Sequence, residues 1–371
     1  MGKILSMKKF IILLLCLSGI AFAAENGTFY KIPNTAGLKG VRGFAAGIAI
    51  PRTTFKYTPG KTKNGVMDDL TLVDYAIAED NSIIALAESI EQQDQTFLNR
   101  IIFMENGSFR ILNGKEYKSK EKIEKIFFFA GNLFCIVKGE KTMLRELYLT
   151  RELRFASRAV ILDNDITSMC KNKKFFYLKD SASTLMQFNE NMEKVSELTT
   201  RRPGGVILLQ NGTDKLLHFT ADNLETIQCT GSGLFKSSFR DLKDVPAPVQ
   251  AWYAHNKRSI YFLAEDGSLH ELVDLAYCEN KEIAPFKQIL YNPYRREFFV
   301  IASKRNMLEI LIPPGFEVRR KISHHTMRPE TNQNIKMMIP HPSGVLLITQ
   351  DGEFTFIRER KRRFHKTIHN K

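Results

Sequence analysis

From about residue 73 to the end, short apolar runs alternate with short polar turns, and the same sequence of runs returns several times. Residues 250–255 lead through a polar turn at 256–259 into the apolar run 260–264. Asp266 and Gly267 then lead into the alternating run 268–273. The shape recurs at 289–291, 298–302 and 307–312, and again at 335–339, 345–349 and 353–358, the last run entered through Asp351 and Gly352. Earlier copies start near Val73, Ile123, Asp165 and Gly205, with second runs at 83–87, 133–137, 175–178 and 216–220. No long window carries an apolar period of 3.6 residues. The period of two and the Gly-containing turns predict β-strands throughout.

Residues 73–371 divide into seven such units of about 43 residues. A four-stranded antiparallel sheet of that size cannot hide both of its faces alone. Sheets stacked around an axis bury each face against the next, which predicts an all-β, seven-bladed β-propeller of four-stranded antiparallel blades. Strands nearest the axis are then buried on both sides and continuously apolar, as at 126–129 and 346–348, while outer strands turn polar, as at 319–321 and 362–365. The Asp266-Gly267 and Asp351-Gly352 turns between second and third strands carry a resemblance to secreted bacterial seven-bladed propellers of the broad WD40-like or quinoprotein-like superfamily. The resemblance spans about four-fifths of the chain and implies the fold alone. The Gly-His and Trp-Asp signature is missing, and Trp252 is the single tryptophan.

Two segments precede the repeats. Lys3, Lys8 and Lys9, the apolar run 10–17 and Ala21-Phe22-Ala23 predict a signal peptide over 1–23, cut before Ala24. Myristoylation at Gly2 and a lipid anchor at Cys16 fit less well, since an export signal lies behind the first and Leu15 is not small. The expected mature protein is periplasmic or extracellular and has no transmembrane segment. Residues 24–72 do not fit the repeat and are read as a closing strand or cap, with a partly formed eighth blade as the competing reading. Cys135, Cys170, Cys229 and Cys278 remain after cleavage. They could pair in three ways in an oxidising compartment, but their placement in strand-like runs favours buried thiols.

Composition adds a charge. With 54 Lys+Arg against 40 Asp+Glu the net charge is +14, and losing the three signal-peptide lysines leaves +11. The 27 Phe and 11 Tyr exclude a disordered chain. Basic clusters at Arg201-Arg202, Arg319-Arg320-Lys321 and Arg360-Lys361-Arg362-Arg363 are candidate anion contacts. In an exported protein the partner would be an envelope protein or an anionic surface polymer, not nucleic acid. The same charges also protect edge strands.

Chemistry is expected at the channel mouth, where first strands begin. Asp74, Glu124, Asp165, Gln250, Gln288 and Asn334 stand there, with Gly205 in the fourth unit. Such an oxygen ring suits a polar ligand, or Ca²⁺ or Mg²⁺. The eight histidines have no metal-ligand spacing on one strand, and no nucleophile elbow or phosphate loop occurs. The sequence thus predicts a non-catalytic binding scaffold without a cofactor. The alternative is a metal-dependent hydrolase or lyase at the channel mouth. A quinone-cofactor dehydrogenase is a third reading, disfavoured by the lone Trp252.

Overall fold

The computed structural model describes residues 55–56, 72–107, 109, 111–149, 153–210, 214–253, 259–273, 279–302, 308–312, 317–322, 335–349 and 353–358. All regular elements among them are strands. A two-residue strand, β1 (Phe55–Lys56), comes first. The first antiparallel set is β2 (Leu72–Ile77), β3 (Ile83–Glu91), β4 (Phe97–Glu105) and β5 (Ile111–Ser119). The second is β6 (Lys122–Phe129), β7 (Asn132–Lys138), β8 (Thr142–Leu149) and β9 (Leu153–Leu162). The third is β10 (Ile166–Lys171), β11 (Phe176–Asp180), β12 (Thr184–Phe188) and β13 (Lys194–Thr199). The fourth is β14 (Val206–Gln210), β15 (Lys215–Phe219), β16 (Asn223–Thr230) and β17 (Gly233–Asp241).

The next two units share a sheet. Seven strands run in sequence order: β18 (Pro248–Tyr253), β19 (Ile260–Ala264), β20 (Ser268–Val273), β21 (Glu279–Asn292), β22 (Glu297–Ala302), β23 (Leu308–Ile312) and β24 (Glu317–Ile322). The 14-residue β21 links them: Glu279–Pro285 pairs with β20, and Phe286–Asn292 pairs with β22. Six sheets therefore form instead of seven separate ones, because here the chain passes from one unit to the next in extended conformation. The last sheet holds β25 (Ile335–His341), β26 (Gly344–Thr349) and β27 (Glu353–Arg358). The far side of β27 pairs with β1, Phe55 opposite Phe354 and Lys56 opposite Glu353. Residues 362–365, expected as an outer strand of this sheet, lie outside the described residues, and a strand from the other end of the chain occupies that edge.

Burial follows the expected gradient. All five residues of β11 are buried, as are eight of the nine in β3, whereas seven of the nine in β17 are exposed. Apolar clusters lie between successive strand sets. Ala85 and Ile101 pack with Ile126 and Phe128; Phe127 and Phe134 with Phe176 and Leu178; Tyr177 and Leu185 with Ile207 and Leu216. Leu217 and Phe219 pack with Ile260 and Phe262; Tyr261 and Leu269 with Phe298 and Val300; Phe299 and Ile301 with Met338 and Val345. The series then closes, because Ile84, Leu86 and Phe109 of the first set pack against Ile339, Leu346 and Phe356 of the last. Each sheet thus buries both faces against its neighbours, which is the arrangement of a β-propeller.

Polar pins reinforce these seams. Fully buried Asn292 donates from Nδ2 to the carbonyls of His341 (2.9 Å) and Gly344 (2.8 Å). Fully buried Asn99 donates to the Glu121 carbonyl at 2.7 Å and accepts from the Ile123 N–H at 3.2 Å. At the Asp266-Gly267 turn, Gly267 has φ +81° and the Ser268 N–H donates to Asp266 Oδ1 at 2.9 Å, so Asp and Gly each fill the role the turn requires.

Candidate functional site

The first strand of six of the seven strand sets starts with the same irregularity. Pairing with the second strand skips one residue: between Leu72 and Asp74, Ile123 and Lys125, Ile166 and Ser168, Pro248 and Gln250, Phe286 and Gln288, and Ile335 and Met337. In the fourth set β14 pairs without a skip. Gly204 and Gly205 precede it with φ of +60° and +74°. A β-bulge of this kind breaks the alternation of faces and can send two consecutive side chains to the same side.

That happens here. Residues of β2, β6, β10, β14, β18, β21 and β25 line one cavity of about 650 Å³. Four consecutive pairs at the bulges contribute both members: Thr167 with Ser168, Val249 with Gln250, Lys287 with Gln288, and Lys336 with Met337. Lys125 is the third lysine of the lining. Tyr75, Trp252 and Tyr291 supply aromatic wall, and none of the described lining residues is a carboxylate.

The bulges also define a common register, which runs Asp74, Lys125, Ser168, Val206, Gln250, Gln288 and Met337. Several of these side chains reach the next first strand. Asp74 Oδ2 accepts the Ile126 N–H at 2.8 Å, and Ser168 Oγ accepts the Ile207 N–H at 3.0 Å. Lys125 Nζ lies 3.5 Å from the carbonyls of Ile166 and Thr167, and Gln288 Nε2 donates to the Ile335 carbonyl at 2.6 Å. These polar groups hold neighbouring strands at a fixed offset.

The six residues expected at the channel mouth separate on this register. Asp74, Gln250 and Gln288 share it, and the two glutamines line the cavity. Glu124 is the residue skipped at its bulge. Asp165 precedes β10 and is exposed; it accepts from Lys138 Nζ at 2.6 Å and Thr142 Oγ1 at 2.8 Å. These bonds, Lys138 foremost, pull the Asp165 carboxyl below the usual carboxylate range. Asn334 lies outside the described residues. The structure therefore does not bring Asp74, Glu124 and Asp165 together. Glu124 is taken off the shared register by its bulge, which is invisible in an alignment of apolar runs, and Asp165 because it precedes its strand. Among the described residues no three His, Cys, Asp or Glu side chains gather as a metal site.

Burial pushes the Asp74 carboxyl up to about 6, with the Ile126 and Tyr75 N–H groups and Lys125 working against that rise. Burial likewise depresses Lys125, partly offset by Asp74 and then Glu124. The two form a compensated pair at the edge of the cavity. Sequence reasoning did not select Lys125, Lys287 and Lys336, although each stands within two positions of a residue it did select. Simple alternation would have faced Lys287 away from the side that Gln288 occupies.

Of the candidate anion contacts, Arg201 lays its guanidinium 3.6 Å from the centroid of the Phe239 ring, and its backbone N–H donates to Glu225 Oε2 at 3.0 Å. Arg202 pairs with Asp222 at 3.0 Å. Both are exposed and both are engaged locally. Arg319, Arg320 and Lys321 belong to β24, and residues 360–363 lie outside the described residues, as does segment 1–23, expected as a signal peptide. His218 and His270 sit inside strands. His341 ends β25 and is buried. Cys135, Cys170 and Cys229 are free thiols.

No protein-family model matches the chain, and no curated protein matches it. Among solved structures it is similar to one described as Kluyveromyces lactis Hsv2 complete loop 6CD, with a TM-score of 0.50 and 10% identity, over 76% of this chain and 90% of that one. At that identity the likeness concerns the fold, and it agrees with a β-propeller.

Proposed function

We propose that this chain is an exported, non-catalytic binding scaffold: a seven-bladed propeller that recognises an anionic polymer of the cell envelope. Seven first strands facing one cavity support the blade count, with the shared seven-stranded sheet read as two blades joined through β21. Residues 24–72 then supply the strand that completes the last blade. The signal-like residues Lys3 to Ala23 support export to the periplasm or beyond.

The observation that carries the binding reading is the charge of the cavity. Three lysines line it and none of the described lining residues is a carboxylate, in a chain whose overall balance is strongly positive. A cleft lined by one sign of charge focuses the field and concentrates counter-ions. Asp74 and Asp165 are bonded elsewhere, so a set of convergent acid and base groups is not what faces the ligand.

Chromatography on an immobilised polyanion tests the reading. The mature protein should be retained at low salt and released as salt rises, and a chain ending at residue 357 should elute earlier. Passage of the intact mature chain at low salt without retention would overturn the reading.

A further inference from the structure

We propose that Lys287 and Lys336 form a binding site for a compact divalent oxyanion of the phosphate type inside the axial cavity, a site that deepens the anion-binding reading by giving it a seat. Three observations converge on this pair. Both residues occupy the bulge position of their strands, Lys287 between Phe286 and Gln288 of β21 and Lys336 between Ile335 and Met337 of β25. They hold equivalent places on strands that pack against each other. The Gln288 amide, donating to the Ile335 carbonyl at 2.6 Å, holds the two strands at that offset and so fixes the backbone positions from which the two lysines project.

The electrostatics of the pair differ from those of Lys125. Asp74 and Glu124 stand near Lys125 and offset its burial. Among the described residues neither Lys287 nor Lys336 makes an ion pair, and the surrounding wall is Ile289, Leu290, Met337, Met338 and Trp252. Lys287, exposed, and Lys336, half-buried, put two like charges on the wall of one cavity with no carboxylate between them among the described residues, and each raises the cost of holding the other there. An anion placed between them reverses that sign, and one carrying two negative charges neutralises both. Lysine ammonium groups act as point-charge donors, which suits a tetrahedral oxyanion that offers an oxygen in each direction.

Titration calorimetry of the mature chain with inorganic phosphate at low ionic strength tests the site. Wild type is expected to bind, sulfate to compete and acetate to fail. K287Q and K336Q should each weaken phosphate binding at least tenfold, with the double variant showing none, while K236Q on the exposed strand β17 binds as wild type. Circular dichroism checks that the variants stay folded, and the wild-type competition by sulfate against acetate stands without them. Absence of binding to wild type at millimolar phosphate would refute the site. So would equal competition by acetate, or wild-type affinity in folded K287Q and K336Q. Retention on the polyanion column draws on the cavity together with the rest of the chain's 54 Lys+Arg, so it should weaken but survive in the double variant. A chain that binds phosphate yet passes the column unretained would sink the polymer reading and leave this site standing.

Discussion

His341 sits in the seam that joins the last sheet to the first, and acid should weaken the ring there. Its side chain is buried between Phe109, with ring centroids 5.3 Å apart, and Phe356, at 5.0 Å. The Ser343 N–H donates to its Nδ1 at 3.0 Å, which requires that nitrogen to be unprotonated. Burial pushes the imidazole down to about 4, against a hydrogen bond to the Asn106 backbone that works the other way. The folded pKa is therefore below the unfolded value of about 6.5. Stability from the neutral ring is fully present above pH ~6.5 and is lost as pH falls toward 4, where both states bind the proton. At ~1.36 kcal/mol per pKa unit the whole interval contributes about 3 kcal/mol, of which about 2.5 is gone at pH ~4.5. Asp74 acts in the opposite sense. Its raised folded pKa means that its buried carboxylate destabilises the protein most above pH ~6, and acidification to pH ~4.5 relieves about 2 kcal/mol. A pH scan of the wild type alone would show the two nearly cancelling. The informative quantity is the difference between wild type and H341F, measured by urea unfolding at pH ~7 and ~4.5 and followed by the fluorescence of Trp252. H341F should gain about 2.5 kcal/mol relative to wild type between the two pH values, whatever its absolute stability. Parallel pH profiles for the two proteins would refute the reasoning.

Two substitutions probe the seams and the bulge register, both read from the midpoint of urea unfolding. N292A strips hydrogen bonds from two buried carbonyls, those of His341 and Gly344, and should cost about 2–4 kcal/mol, without the pH sensitivity of the H341F comparison. G205A places a Cβ 2.5 Å from the Phe219 carbonyl oxygen and 2.7 Å from Thr220 Cγ2 at φ +74°, and should cost at least about 2 kcal/mol. G204A, at φ +60° with open space around it, should cost about 1 kcal/mol or less. Equal effects of the two glycine substitutions would show that strain alone, and not the close approach to β15, sets the cost.

The strands themselves were legible because the apolar runs are buried on both faces. Runs read at 260–264, 268–273 and 353–358 coincide with β19, β20 and β27, and the start of β25 at Ile335 matches as well. Where the account of the sequence went astray, pairing was responsible. Nothing in 279–292 announces that one strand will serve two neighbours, because Pro285 and the bulge after Phe286 interrupt a pattern that would otherwise look like two strands and a loop. At the edge beside β27 the pattern pointed to residues 362–365 as the outer strand, with a closing strand expected somewhere in 24–72, because local periodicity does not say which segment pairs with a partner nearly 300 residues away. At the cavity the decisive feature is a one-residue skip repeated at six strand starts. It can turn two adjacent side chains to the same side, so Lys287 and Lys336 line the cavity together with Gln288 and Met337, which strict alternation would not allow. Asp74, expected as a channel-mouth ligand, has its carboxylate on the backbone of Ile126.

A crystal structure of the mature chain grown in phosphate tests the ring and its cationic cavity together. Seven inner strands around one axis should appear, with tetrahedral density between Lys287 Nζ and Lys336 Nζ. An open arc of sheets, or a closed ring with a carboxylate of the protein itself seated between those two lysines, would contradict the account.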